Sequence, residues 1–257
     1  MELPHDWHGA WLISASFLAG TLNAMAGGGS FLSFPALLGV GVVPIQANAT
    51  NTVALWPGQV TSIVGYLADL KANLKLVFPV CSAALAGGLA GALVLLHTGQ
   101  ATFMALVPWL LLFAAVLFAV SAPVSRWLLR RAAHNPEMKP ALMPLWIGVA
   151  AVSFYIGYFG AGAGFLVMSV LAIFGIEEIN QVNALKVIAT TMANGIAVVT
   201  FIVGNQILWR YCLLMMVTAA IGGYLGANYS RRLNPRLMRI LVVSIGLGMA
   251  AYFFWKR

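Results

Sequence analysis

The 257-residue sequence predicts an all-α polytopic membrane protein made of two inverted repeats of five segments each. The second segment of each repeat is a short broken helix, giving eight full spans plus two short helices. Three observations predict this. Apolar residues make up 61% of the chain and charged residues 8%, against about 25% charged in a soluble domain, so lipid must be the solvent. Charges are absent from 7–68, 76–125, 140–176, 187–209, 211–230 and 240–255, and a spanning helix needs about 20 apolar residues. Third, the chain repeats itself. Shifted by 134, Phe31-Leu32 falls on Phe165-Leu166, Leu37 on Leu171 and Gly41 on Gly175. At an offset of 135, Gly87-Gly88 with Gly91-Ala92 falls on Gly222-Gly223 with Gly226-Ala227. Hydrocarbon requires every backbone group to be paired internally, and the alternating segments of about ten residues that a barrel needs are missing, so the spans are helical.

In chain order, the expected segments are 8–27, 30–42, 48–68, 75–97 and 101–122, then 141–160, 164–175, 183–204, 208–228 and 237–255. This divides the chain into a first membrane repeat (1–122), a basic cytoplasmic linker (123–140) and a second, inverted repeat (141–257). The second segment of each repeat is only about a dozen residues long, too short for a straight span. Positive charge settles the orientation, because basic loops stay cytoplasmic. If every segment crosses, the linker with Arg126, Arg130, Arg131 and Lys139, the Lys71/Lys75 loop and the Arg231/Arg232 loop share one side. If the short segments turn back, the linker and the Arg231/Arg232 loop fall on opposite sides. His97-Thr98-Gly99-Gln100 carries no Lys or Arg while its counterpart Ser230-Arg231-Arg232-Leu233 is strongly basic, as expected of copies that face opposite ways. Both termini are then outside, with Lys256 and Arg257 as the exception to the charge rule. Trp7, Trp11, Trp127, Trp146, Trp209 and Trp255 lie near segment ends, as an interfacial belt requires.

The net charge of +8 reads as orientation and not as affinity for nucleic acid, since no stacking platform accompanies it. Cys81 and Cys212 lie apart in apolar runs and read as packing residues. His5, His8, His97 and His134 lie at ends and loops and form no metal constellation. No nucleophile–base set or Walker loop is present, and the Gly-rich stretches do not follow a soluble strand, so a dinucleotide or phosphate loop fails on context. No cofactor and no enzyme activity are expected.

Two sets of residues can carry function. The first is the pair of breaks, Gly27-Gly28-Gly29-Ser30 and Ala161-Gly162-Ala163-Gly164. A helix that starts inside the membrane presents unpaired N–H groups and the positive end of its dipole, which suits an anion. Small residues also serve close helix packing, the reading that fits Gly87, Gly88, Gly91, Gly222, Gly223 and Gly226. The second set is the polar cluster after each short segment. Asn48, Thr50, Asn51 and Gln59 belong to the first copy; Asn183, Lys186, Thr190 and Asn194, spaced 3, 4 and 4, share one helical face in the second. A polar stripe in a membrane helix lines a water-filled path or the bundle interior, or bonds neighbouring helices without a ligand. Lys186 is the sharpest residue: a charge at the bilayer centre costs about 2.5–3.5 kcal/mol. It can hold an anion or exchange a proton, or else snorkel to the interface or pair with Glu177 or Glu178. Paired Gly-interrupted segments in matching halves point to a transporter.

The run Asn23-Ala24-Met25-Ala26-Gly27-Gly28-Gly29-Ser30 with Pro35, Pro44 and Ala49-Thr50-Asn51 resembles the TauE/SafE family of membrane proteins, the sulfite exporters or toluene-sulfonate uptake permeases. The second copy, Gly160-Ala161-Gly162-Ala163-Gly164 with Asn183-Ala184-Leu185-Lys186, fits the same family. The resemblance implies a secondary transporter, by default an exporter, of a small sulfur-containing anion such as sulfite, a sulfonate or thiosulfate. It would work by alternating access in a bacterial inner membrane, with proton coupling and a homodimer left open. A channel-like anion pore and an accessory or enzyme subunit of sulfur metabolism are the alternatives.

Overall fold

The computed structural model describes residues 6–26, 28–132, 142–176, 178–230 and 235–255. Among the described residues the regular elements are eleven helices and no strands. They are α1 (Asp6–Ala26), α2 (Ser30–Gly39), α3 (Pro44–Val64), α4 (Leu67–Ala72), α5 (Leu74–His97), α6 (Gln100–Ala132), α7 (Leu142–Tyr158), α8 (Gly164–Ile173), α9 (Ile179–Val203), α10 (Trp209–Ser230) and α11 (Pro235–Trp255).

The repeat is visible to the residue in the short helices. Both α2 and α8 have ten residues and start 134 positions apart. At about 1.5 Å per residue each is some 15 Å long, half the hydrocarbon thickness. Both end in the same left-handed turn, on Gly41 (φ 83°) and Gly175 (φ 82°). Val42 N–H reaches Leu37 O at 3.1 Å and Gly41 N–H reaches Leu38 O at 3.1 Å; in the second copy, Ile176 to Leu171 and Gly175 to Ala172 repeat the pattern at 3.1 and 3.2 Å. This is the Schellman arrangement, in which a residue without Cβ takes the positive φ and the orphan carbonyls are satisfied.

The long helices match membrane dimensions. α5, the Gln100–Leu117 part of α6, and α9 from Asn180 to Val203 are each long and apolar enough to cross a bilayer. α1, α3 and α11 have 21 residues each and α10 has 22. Large apolar side chains lie bare on their outer faces, Phe78 at 79% and Val203 at 76% exposure among them. Patches of this kind are foreign to water-facing surfaces and belong against lipid. Trp11, Trp146, Trp209 and Trp255 are likewise exposed; the side chains of Trp7 and Trp127 lie outside the described residues.

Several boundaries differ from expectation, and α3 runs Pro44–Val64 where 48–68 was expected. α6 continues to Ala132, into the stretch expected as linker, because 124–132 is rich in Leu, Arg and Ala, which favour helix. Residues 133–140 of that linker lie outside the described residues, as do Arg231 and Arg232. The short α4 occupies the loop expected between 68 and 75, with Leu70 buried. Finally, α9 begins at Ile179 and not at 183, since Glu178 caps it: its two carboxylate oxygens accept the N–H groups of Asn180 (3.0 Å) and Gln181 (2.7 Å).

The chain forms two compact units. One comprises Met1–Gly58, Leu96–Val116 and Phe201–Arg257, the other Gln59–Leu95 and Leu117–Thr200. Each unit draws helices from both sequence copies. In the first unit α1 lies along α10: a Cβ at Gly222 would fall 2.0 Å from Phe17 O, so the backbones touch. Thr21 Oγ1 donates to Gly222 O at 2.9 Å, and Ser16 shares a hydrogen bond with Thr218. The second unit repeats this contact between α5 and α7, where a Cβ at Gly87 would fall 2.1 Å from Ala150 O. The packing reading holds for Gly87, Gly88, Gly91 and Gly222, where a Cβ would fall 2.0–2.6 Å from a neighbouring backbone oxygen. The second unit's core gathers Val80, Leu145, Val149, Val167, Leu171 and Leu185 around α7–α9; in the first, Phe34 meets Phe103 edge-on at 6.5 Å.

Candidate functional site

Both Gly-rich stretches are true breaks. α1 stops at Ala26 and α2 starts at Ser30; α7 stops at Tyr158 and α8 starts at Gly164. Gly29 and Ala163 are the N-caps, and neither short helix has a side-chain cap. Each break ends at the positive end of a dipole, but turn carbonyls take up part of the N–H groups that a helix start leaves over: Phe31 and Leu32 N–H reach Gly28 O (3.2 Å) and Gly29 O (3.0 Å), and Ala163 and Phe165 N–H reach Gly160 O (3.5 Å) and Gly162 O (3.4 Å). Gly27 lies outside the described residues; Gly28 and Gly29 are buried. Gly29 also packs against α1, where a Cβ would fall 2.4 Å from Ala19 O, so packing and the break share this residue.

In the first unit the polar residues bond one another. Asn51 is 2% exposed on α3. Its Nδ2 donates to Ser30 Oγ at 3.3 Å and its Oδ1 accepts from Ser33 Oγ at 2.5 Å. Ser33 Oγ also lies 3.1 Å from Gly29 O. Thus α3 is laced to the start of α2. Thr50 is turned elsewhere: its Oγ1 accepts the N–H of Leu208 at 3.1 Å, ahead of α10. Asn48 is buried, and its carbonyl accepts Thr52 Oγ1 at 2.9 Å.

In the second unit the arrangement carries a charge. A Cβ at Gly164 would meet Lys186 Cδ at 3.8 Å, so the lysine stem runs past the first residue of α8. Lys186 Nζ donates to Asn183 Oδ1 at 3.1 Å. The earlier start of α9 puts Lys186 about two turns into its helix, roughly 10 Å from its beginning. Glu178 spends its carboxylate on the α9 N–H groups; Glu177 lies outside the described residues. At the other end of the break, a Cβ at Gly160 would come within 3.7 Å of Asn194 Oδ1. Asn194 Nδ2 donates to Gln59 Oε1 at 3.0 Å and to Thr190 O at 3.1 Å. Thr190 Oγ1 returns to the carbonyls of Lys186 (2.9 Å) and Val187 (3.1 Å). The loop with Gly160 (φ 77°) and Gly162 (φ 70°) is therefore bracketed by Asn194 at one end and Lys186 at the other.

The expected first-copy stripe is split: Asn48 and Asn51 belong to one unit and Gln59 joins the second-copy cluster in the other. Sequence reasoning missed Ser33, Tyr155 and Thr191. Ser33 lies one turn after Ser30, a spacing that could have marked it. Thr191, 1% exposed, donates to Val187 O at 2.8 Å and lies 3.4 Å from Gln59 O. Tyr155 Oη donates to Ala161 O at 2.8 Å.

Broken half-helices in matching copies, set among lipid-facing spans with a polar stripe and one intramembrane lysine, define a multi-pass membrane transporter. The profile of the family described as "Sulfite exporter TauE/SafE" matches residues 12–253. The chain belongs to the TauE/SafE family, a family of transporters and not of enzymes. It is similar to a Sinorhizobium protein described as "Probable membrane transporter protein ORF9", 27% identical over 94% of this chain and 90% of that one. A Haemophilus influenzae "Probable membrane transporter protein" is 26% identical over 94% and 92% of the two chains. The Escherichia coli K12 "Probable membrane transporter protein YfcA" is 24% identical over 93% and 87%. No solved structure matches the chain.

Proposed function

We propose that the protein is a secondary transporter that exports a small sulfur-containing anion, such as sulfite, a sulfonate or thiosulfate, across a bacterial inner membrane by alternating access. The observation that carries this reading is Lys186. Its ammonium lies on a helix whose neighbour, α8, begins beside the lysine stem. A cation and the positive end of a helix dipole repel each other in low dielectric, and an anion held by both relieves the repulsion. Asn183, Lys186 and the N–H groups around Gly162–Gly164 would hold the oxyanion, with Thr190, Asn194 and Gln59 lining its approach. The first-copy residues Gly27–Ser30, Asn48, Thr50 and Asn51 would hold their own unit together without touching the anion. The membrane topology that goes with this reading is the inverted five-plus-five arrangement with eight full spans, supported by the loop charges. The family name supports the sulfur anion and the direction.

The test is flux of sulfite, thiosulfate and a short-chain sulfonate in proteoliposomes, with and without a pH gradient. Saturable flux of any of these supports the reading, and a response to the gradient reports proton coupling. Flux that never saturates would move the assignment to an anion pore; no flux of any of the three would remove the substrate assignment.

A further inference from the structure

Tyr155 holds the second break from two directions. Its carbonyl accepts the N–H groups of Phe159 (2.9 Å) and Gly160 (3.0 Å), closing the end of α7. Its hydroxyl then reaches forward and donates to Ala161 O at 2.8 Å. Ala161 lies between the two residues of positive φ, Gly160 and Gly162, and is 1% exposed. The Tyr155 ring is itself steadied edge-on by Phe159, with centroids 6.4 Å apart. A trans peptide is planar, with its C=O and N–H antiparallel. Pinning the Ala161 carbonyl to the tyrosine hydroxyl therefore turns the Gly162 N–H the opposite way, away from Tyr155. In a loop whose glycines leave φ free, this bond fixes the direction of the Gly162 N–H ahead of α8.

Among the described residues the first copy shows no such brace. Thr21 stands at the position equivalent to Tyr155, 134 residues earlier, and its hydroxyl is spent on Phe17 O (3.0 Å) and Gly222 O (2.9 Å). The first break is laced by Ser33 and Asn51 instead. The tyrosine thus belongs to the copy that carries Lys186.

We infer that Tyr155 is a positioning residue for anion binding: it orients the Gly162 N–H within the Gly160–Gly164 loop and thereby sets substrate affinity, without touching the substrate. This rests on the anion reading given above. Tyr155→Phe keeps the ring and its packing and removes only the donor. In proteoliposomes the variant should raise the KM for the transported anion about fivefold to tenfold, with Vmax per folded transporter unchanged. Amide hydrogen exchange across 160–164 should quicken in the same variant, and that arm needs no substrate. An unchanged KM, with Vmax falling only as folded protein falls, would reduce Tyr155 to a structural residue, and so would unaltered exchange in the loop. Should the wild-type protein move none of the anions, the substrate reading fails while the exchange arm still decides whether the hydroxyl orients the loop.

Discussion

Lys186 runs its aliphatic stem past Gly164, the first residue of α8, where a Cβ would sit at ordinary van der Waals distance from it. At the equivalent place in the first copy, Asn51 reaches Ser30, the first residue of α2, with a hydrogen bond. The offset between Asn51 and Lys186 is 135 and that between Ser30 and Gly164 is 134. One copy closes the contact with two neutral side chains. The other replaces the serine by glycine and the amide by a cation. Duplication has left one laced half and one charged half.

Lys186→Met should therefore separate function from folding. Methionine keeps the length of the stem and removes the charge. A charge-assisted hydrogen bond contributes about 1.5–3 kcal/mol, so kcat/KM for the anion should fall about tenfold to a hundredfold. The melting temperature in detergent should hold or rise, because an intramembrane cation costs folding energy. Flux assays paired with thermal melts read both; unchanged transport would take Lys186 out of the site.

Asn51→Ala should do the reverse. Asn51 is buried, and its removal takes the amide donor from Ser30 Oγ and one of the two acceptors from the Ser33 hydroxyl, which keeps Gly29 O. Leaving such groups unsatisfied costs about 1–3 kcal/mol. The loss should appear in the melting temperature, with KM nearly constant in the protein that folds. A large rise in KM at wild-type stability would show instead that the first copy contacts the solute.

How far these sites were legible in the sequence follows from the residues. Glycine announced the breaks: the starts at Ser30 and Gly164 fall where the repeat placed them, whereas the left-handed turns at Gly41 and Gly175 lie inside the segments expected at 30–42 and 164–175. The start of α9 was misplaced because Asn180 and Gln181 look like loop; they are the first turn of a helix capped by Glu178. Ser33 was overlooked as a lone hydroxyl in an apolar run, where local pattern carries no sign of a partner 18 residues away. Tyr155 was invisible for a different reason. Its partner is a carbonyl turned back by two positive-φ glycines, and backbone direction has no letter in the sequence. The division of α3 between two compact units is a tertiary fact, so Gln59 looked like a neighbour of Asn51 and is a neighbour of Asn194.

Gly162 and Gly175 make a matched pair for dissecting strain from affinity. Both have positive φ, 70° and 82°. An alanine at either position should cost about 1–2 kcal/mol through the clash of Cβ with the backbone. Only Gly162→Ala disturbs the loop ahead of α8, so only it should raise KM, while Gly175→Ala lowers stability alone. Melting curves and flux on the two variants check this, and equal KM values in both would detach the loop from binding.

The last prediction reverses a usual rule. Gly→Ala inside an exposed helix normally stabilises by about 1 kcal/mol through propensity. Gly222 lies inside α10, yet a Cβ there would fall 2.0 Å from Phe17 O and 2.8 Å from Phe17 C. Both atoms are backbone and cannot rotate aside, so α1 and α10 must separate. The Thr21–Gly222 hydrogen bond and the Ser16–Thr218 bond are then stretched together. Overpacking of this kind costs about 1–3 kcal/mol or more. Gly222→Ala should accordingly lower the melting temperature, whereas Gly248→Ala in α11, where a Cβ meets nothing within 4 Å, should hold or raise it. Thermal unfolding of the two variants side by side decides it: equal stability would mean that α1 and α10 are not in backbone contact.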